Sequence, residues 1–412
     1  MTSSHRRGRR PDRRVLIYSH DSFGLGHLRR CRRIAHALVA DRKDLSVLII
    51  SGSPIIGSFD FRTRVDFVRV PGVIKLRNGD YTSLSLHMDV EQTLELRESI
   101  IRHTTEAFDP DLFLVDKEPL GLRGEVENTL TMLRTMGTPC VLGLRDVMDD
   151  PALLTTEWER KNAIPAMESL YDQIWVYGLP QVYDPFHGLT IPNTVRNKTR
   201  YTGYLRSLVS EAAEALIEPP FDGAPYLLVT AGGGGDGEEM IDWVLRAYES
   251  AKAPDIPALV VFGPFMSNET KDALQSRIDK LERVEATAFV SRLENLMAHA
   301  VGVVGMGGYN TFCEILSLDK PSIIVPRKVP RLEQYLRASK AEALGLVRML
   351  DPDLAGDAGL MAEALSELPR ACAPSVAEIP SLMDGLESVS GLVNGFLHRP
   401  YDATLMGASG TG

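Results

Sequence analysis

Cysteine is scarce in this chain: four among 412 residues, at positions 31, 140, 313 and 372. They are far apart, with no C-x-x-C spacing and no His/Cys cluster, so neither a zinc site nor a disulfide framework organises the fold. Reduced, buried thiols in a cytosolic protein are the expectation. No apolar run approaches the roughly 18 residues that span a bilayer, and no signal-type apolar core follows the basic start. The P-loop pattern G-x-x-x-x-G-K-[ST] is missing, which argues against nucleotide hydrolysis of that kind. Basic residues are outnumbered, giving a net charge of -10, and a nucleic-acid partner is disfavoured. Asp-Pro-Asp occurs at 109–111 and 351–353 and reads as turn punctuation in both places, so no metal is expected. No cofactor is expected either. The location predicted is cytoplasmic, with peripheral contact at the inner face of a membrane left open.

What is present is an ordinary globular composition, 44% hydrophobic and 24% charged, in a chain longer than one hydrophobic core usually organises. Short apolar runs recur at 15–19, 47–51, 67–70, 112–116, 140–144 and 174–177, and again at 226–230, 258–262, 286–289, 301–304 and 322–325. Helical patterns lie between several of them. Leu28, Cys31, Ile34, Ala35 and Leu38 share one helical face, which leaves Arg29, Arg30, Arg32 and Arg33 largely on the others. Such alternation predicts an α/β fold with parallel sheets covered by helices on both faces.

The domain boundaries expected are a disordered basic tail at 1–14, a first domain at 15–203, a linker at 204–222, a second domain at 223–385, and a returning helix with a tail at 386–412. The tail holds six arginines against one aspartate. It reads as solvated, with tethering to an anionic membrane as the alternative. Apolar residues between 55 and 86 read equally as packing or as a lipid-facing surface.

Two glycine turns stand out. HDSFGLGH at 20–27 follows the first apolar run, and GMGGYNT at 305–311 follows the run at 301–304. Each joins a strand to a helix, whose start offers free N–H groups and a positive dipole end to an anion. Asn310 and Thr311 are good N-cap types, predicting a helix over 312–318. Glu314 then lies about one turn in, where its carboxylate accepts from both hydroxyls of a ribose or complements the dipole. AGGGGDG at 231–237 is a third glycine-rich turn, read as either a phosphate contact or a flexible loop. The first turn is not a dinucleotide fingerprint, because Arg29 stands where the third glycine would be.

The order of elements from 226 to 345, with an amphipathic helix at 293–299, the turn carrying Glu314, and Glu333-Gln334 after 321–326, resembles the C-terminal domain of glycosyltransferase family 28. That family includes the peptidoglycan UDP-N-acetylglucosamine transferase. The resemblance implies two Rossmann-like domains facing a cleft, the GT-B type, with the nucleotide-sugar in the second. It further implies that Phe289 and Val290 meet the base and that Gly307 and Gly308 meet the phosphates, while Gly233 and Gly234 of the third turn and Asn310 and Thr311 at the helix start are donor-binding candidates from the turns themselves. Glu314 would hold the ribose, and Glu333 and Gln334 the sugar.

The first turn resembles the same family and the related UDP-sugar hydrolases, which share Gly-x-Gly-His before a basic helix. Gly24 and Gly26 permit the turn and are donor-binding candidates, and His27 reads as a catalytic or substrate-contacting residue or as a polar cap. Asp116-Lys117-Glu118, Arg145-Asp146 with Asp149-Asp150, and 178–183 follow apolar strands, where α/β clefts bind ligands. Asp116 and Glu118 are the further candidates for a general base; otherwise Asp116 caps a loop and Lys117 and Glu118 are solvated. The corresponding loop of the peptidoglycan enzyme is glycine-rich, a departure that leaves the acceptor open between a lipid-linked and a polysaccharide hydroxyl. The expectation is an inverting, metal-independent transfer from a nucleotide-diphosphate sugar. A nucleotide-sugar hydrolase and a non-catalytic nucleotide-sugar-binding module are the alternatives.

Overall fold

The computed structural model describes residues 12–20, 26–75, 81–207, 220–232, 235–287 and 293–398. Strands rich in Val, Ile and Leu, with no polar alternation, need cover on both faces and form parallel sheets. The first sheet is built from β1 (Arg13–Ser19), β2 (Leu45–Ser51), β3 (Val65–Arg69), β6 (Leu112–Asp116), β7 (Cys140–Arg145), β8 (Gln173–Tyr177) and β9 (Thr199–Tyr201), with a short antiparallel pair, β4 (Val73–Lys75) and β5 (Tyr81–Ser83), outside it. Its order is β3-β2-β1-β6-β7-β8-β9, parallel throughout.

The second sheet takes β10 (Leu227–Thr230), β11 (Ala258–Val261), β12 (Val284–Thr287), β13 (Gly302–Gly305), β14 (Ser322–Ile324) and β15 (Arg348–Met349) in the order β12-β11-β10-β13-β14-β15, again all parallel. The α/β class with two Rossmann-like lobes is therefore as expected.

The strand order reverses between β1 and β6 in one lobe and between β10 and β13 in the other. Ligands of open parallel sheets bind outside the carboxyl ends at such points. Register makes these ends level, with Tyr18 beside Val115 and Thr230 beside Gly305. Both sequence-defined glycine turns leave from these two places.

Several boundaries differ from expectation. Arg13 and Arg14 belong to β1 rather than to the tail: Arg13 N donates to Asp44 O at 2.8 Å, Arg14 N to Asp111 at 2.9 Å, and Arg14 Nη1 to Phe108 O at 2.7 Å. Satisfied backbone and side-chain donors outweigh their charge. The tail at 1–11, residues 208–219 of the expected linker and the chain after 398 lie outside the described residues. Strand β12 is described as far as Thr287, and the remainder of the expected run, 288–289, lies outside the described residues.

Near the end of the chain, the Gly385–Leu397 helix lies against the Gly26–Asp41 helix of the first lobe. Leu386, Val389, Val393 and Leu397 join one core cluster with Ala35, Leu38 and Val39. Arg42 Nη1 donates to Asn394 Oδ1 at 3.1 Å. The two crossings between lobes meet at Tyr204, whose N–H donates to Leu382 O at 2.7 Å while Gly385 N donates to Tyr204 O at 3.1 Å. A Cβ at Gly385 would stand 2.5 Å from that carbonyl oxygen, so only glycine fits there.

Candidate functional site

The first lobe places His27 in the opening turn of the Gly26–Asp41 helix and Asp116 at the last position of β6, the two flanking the β1/β6 reversal. His27 Nδ1 lies 2.5 Å from Asp116 Oδ2. A contact that short to a carboxylate puts the proton on Nδ1 and leaves Nε2 as the basic nitrogen. Burial lowers the His27 pKa below its ordinary 6.5, against the upward pull of Asp116. Asp116 also accepts from Arg30, Nε to Oδ1 at 2.8 Å and Nη2 to Oδ2 at 2.7 Å. Burial alone would raise the Asp116 carboxyl, but Arg30 and His27 more than offset it and hold the group far below the usual carboxylate range. Asp116 is thus a fixed negative charge that orients the histidine, not a loop cap.

Glu118 is buried and Lys117 half-buried, and both are ion-paired rather than freely solvated. Glu118 pairs with Lys161 at 2.8 Å and with Lys117 at 3.4 Å. Those cations, with His20, overcome burial and keep its carboxyl well below the usual range. A carboxylate so stabilised is a poor base, which separates Glu118 from His27 in role. Lys117 itself adopts φ 69°, a left-handed conformation costly for a non-glycine residue, and its N–H donates to Gly143 O at 2.7 Å. His20, at the end of β1, stands with its ring 5.7 Å from that of His27, and burial lowers its pKa to about 3.

In the second lobe the turn after β13 leads into the Tyr309–Ser317 helix, with Gly308 as its N-cap. The helix therefore starts three residues before the expected 312, and Asn310 and Thr311 sit in its first turn instead of capping it. Asn310 Nδ2 reaches across to Gly26 O at 3.1 Å. Gly307 has φ 74°, and a Cβ there would lie 2.8 Å from Ile324 Cγ2. Strain and clash coincide, so Gly307→Ala is expected to destabilise the fold by about 2 kcal/mol, read by urea unfolding. Gly232, at φ 72°, brings the third glycine-rich turn up to Thr311, 3.4 Å from its Oγ1 by the same construction. Gly24, Gly233, Gly234, Phe289 and Val290 lie outside the described residues.

The facing edges of the lobes are stitched by charge. Glu314, fully buried, accepts from Arg29 Nη2 at 2.5 Å and from Arg33 Nη2 at 3.5 Å. Its other oxygen, Oε2, has no hydrogen-bond partner, and burial raises its pKa despite both arginines. Glu333 pairs with Arg145 at 2.5 Å and Arg327 at 3.3 Å. These cations, with Arg337, outweigh burial and take it down to about 2. Gln334 Oε1 accepts from Arg327 N at 3.1 Å. Asp149, with its neighbour Asp150 capping the Pro151–Arg160 helix, pairs with Arg331 at 3.2 Å and accepts from Leu332 N at 3.0 Å.

The most buried of these links is Arg337, which donates to both oxygens of Asp146 (2.8 and 2.7 Å) and, through Nη1, to Gly307 O at 2.9 Å. Tyr204 OH adds 2.8 Å to Asp146 Oδ2.

Residues 228–368 match the model of the glycosyltransferase family 28 C-terminal domain. Most of the second lobe is thus similar to a family 28 C-terminal domain. The chain is also similar to a UDP-N-acetylglucosamine–N-acetylmuramyl-(pentapeptide) pyrophosphoryl-undecaprenol N-acetylglucosamine transferase of Rhodopseudomonas palustris, 24% identical over 219 residues; the match takes in 50% of this chain and 59% of the relative's length. Among solved structures it resembles the calicheamicin glycosyltransferase CalG4 (TM-score 0.60, 16% identity, 95% of this chain and all of the other). It also resembles Phytolacca americana UGT2 complexed with UDP-2fluoro-glucose and pterostilbene (TM-score 0.63, 14% identity, 93% of this chain and all of the other). These likenesses are of fold, and the fold is GT-B.

His27, Asp116, Gly26, Gly307, Asn310, Glu314 and Glu333 are joined into one network where the two lobes meet, through Asn310 to Gly26, Arg29 to Glu314, Arg145 to Glu333 and Arg337 to Gly307. Missed from sequence were Arg29, Arg30, Arg331 and Arg337 as residues of this network, whereas Arg145 was among the strand-end candidates. Three of the four arginines after His27, which the helical pattern leaves off the apolar face, meet carboxylates: Arg30 is buried on Asp116, and Arg29 and Arg33 cross to Glu314. Among the described residues, no helix is long and apolar enough to cross a membrane.

Proposed function

We propose that the protein is an inverting, metal-independent glycosyltransferase that moves a sugar from a nucleotide-diphosphate sugar, UDP-linked, to an acceptor hydroxyl. The observation that carries this reading is the His27–Asp116 pair at 2.5 Å, set opposite the glycine turn of the second lobe. The acceptor O–H gives its proton to His27 Nε2 as its oxygen bonds to the sugar's anomeric carbon. The bond from that carbon to the diphosphate oxygen breaks, and the electron pair leaves with the nucleotide. Asp116, kept ionised by Arg30, stabilises the imidazolium that forms. Negative charge growing on the leaving group meets the amide N–H groups and dipole end at Gly308 and Tyr309.

By the family resemblance, Phe289 and Val290 take the base and Glu314, with its unpartnered Oε2, takes the ribose, while Gly233 and Gly234, from the third turn itself, border the phosphates. Glu333 and Gln334 then border the sugar. The choice of UDP is supported by the R. palustris relative, named for UDP-N-acetylglucosamine, and by the UGT2 complex with UDP-2fluoro-glucose. Polysaccharide and lipid-linked hydroxyls both suit a base of this kind, and a peripheral membrane position suits the second.

UDP is expected to bind by calorimetry, and at a hundredfold excess over Kd to stabilise the fold by about 2.7 kcal/mol in a thermal melt. Binding of no nucleoside diphosphate would overturn the proposal. Rapid sugar release from donor alone would instead assign hydrolysis, with water in the acceptor's place.

A further inference from the structure

The Glu314 carboxylate that the donor's ribose would occupy is already engaged from the opposite lobe. Arg29 holds Oε1 at 2.5 Å, with Glu294 farther off at 3.8 Å, and the Glu314 contact is the hydrogen bond that the Arg29 side chain makes among the described residues. Arg33 also points at Oε1, at 3.5 Å, but it is anchored elsewhere, to Leu205 O at 3.0 Å and Ser207 Oγ at 3.1 Å. Of the two arginines, only Arg29 can leave Glu314 without breaking another hydrogen bond among the described residues, giving up besides only the 3.8 Å approach to Glu294.

Where it can go is set by the helices. The Gly26–Asp41 and Tyr309–Ser317 helices lie side by side with their starts level, since Gly26 meets Asn310 and Arg29 meets Glu314. Helical side chains lean toward the helix N-terminus. Arg29 therefore leans toward the paired helix starts, one turn or about 5.4 Å away, where a diphosphate would collect its amide hydrogen bonds.

We propose that Arg29 exchanges partners when the donor binds. In the empty cleft it clamps Glu314 across the lobes. The ribose hydroxyls then take the carboxylate, and the released guanidinium pairs with the donor's diphosphate, adding a cation to the leaving group that the helix starts alone would have to stabilise. Arg33 stays in place and keeps the buried carboxylate compensated. A planar, five-donor guanidinium suits both partners, because carboxylate and phosphate each accept its fork. The proposal rests on the donor reading above and goes beyond it by assigning a first-lobe residue to the diphosphate.

The test compares two probes, uridine and UDP, on native protein and on Arg29→Ala, by calorimetry at about pH 8 so that Glu314 stays ionised. Uridine lacks the diphosphate but still competes with Arg29 for Glu314, so the variant is expected to bind it about tenfold more tightly. UDP gains the same relief but loses a charge-assisted contact, so the UDP-to-uridine affinity ratio is expected to fall at least about tenfold. Arg29→Lys, which keeps the charge without the fork, is expected to fall between, and it replaces the alanine variant if that one fails to fold. Native binding of UDP with an unchanged ratio in the variants would overturn the Arg29 proposal alone. Failure of both probes on native protein would overturn the donor reading and this proposal with it.

Discussion

His27→Ala is expected to lower kcat about a thousandfold while UDP affinity, read by calorimetry, stays within about twofold. The reasoning is local. The imidazole touches Asp116, whereas, Arg29 apart, the groups assigned to the nucleotide belong to the other lobe. Asp116 keeps both Arg30 hydrogen bonds after the truncation, so no buried charge is left unpaired and the fold should survive. The pH dependence supplies a second readout. The base must be neutral, so the rate falls on the acid side as His27 gains a proton. Because its pKa is lowered from 6.5, the acid limb of kcat/KM should lie below pH 6.5. Asp116→Asn removes the charge that favours the imidazolium, so the limb should move to still lower pH while kcat drops. A limb unaffected by Asp116→Asn would detach the pair from the chemistry.

The other large effect concerns Arg337. Arg337→Met leaves Asp146 fully buried with, among the described residues, only Tyr204 OH as side-chain partner, and removal of one member of such a pair is expected to cost about 4 kcal/mol of folding stability. Replacing both members, as in Arg337→Met/Asp146→Leu, removes the unpaired charge and should recover much of that loss. It does not restore the hydrogen bond to Gly307 O. The double variant should therefore melt near the native protein yet bind UDP more weakly. Equal recovery of stability and binding would reduce Arg337 to a fold residue; loss of binding alone identifies it as the group that positions the turn.

The contrast between these predictions follows what could be read in advance. The strand at 112–116 and the helix at 293–299 coincide with expectation, because unbroken Leu and Val in one case and apolar spacing in the other are local signals. The glycine framing marked His27, and the polar residues after β6 marked Asp116. Arg30 shows why the rest was hidden. Helical periodicity says that its face is polar, and that pattern is the same whether the face meets water or a carboxylate 86 residues away. Asp146 and Arg337, separated by 191 positions, pose the same problem. The start of the Tyr309–Ser317 helix was misplaced for a different reason. Cap preference pointed to Asn310 and Thr311, but Gly308 takes the extended cap geometry and frees Asn310 to bond Gly26.

The Gly385–Leu397 helix, bound to the Gly26–Asp41 helix, has a consequence for biosynthesis. A chain still on the ribosome, with this segment inside the exit tunnel, has an opening lobe whose Ala35, Leu38 and Val39 stripe lacks its cover. The half translated first is thus completed by residues translated late, and a nascent intermediate with that apolar stripe bare is the species a chaperone would meet.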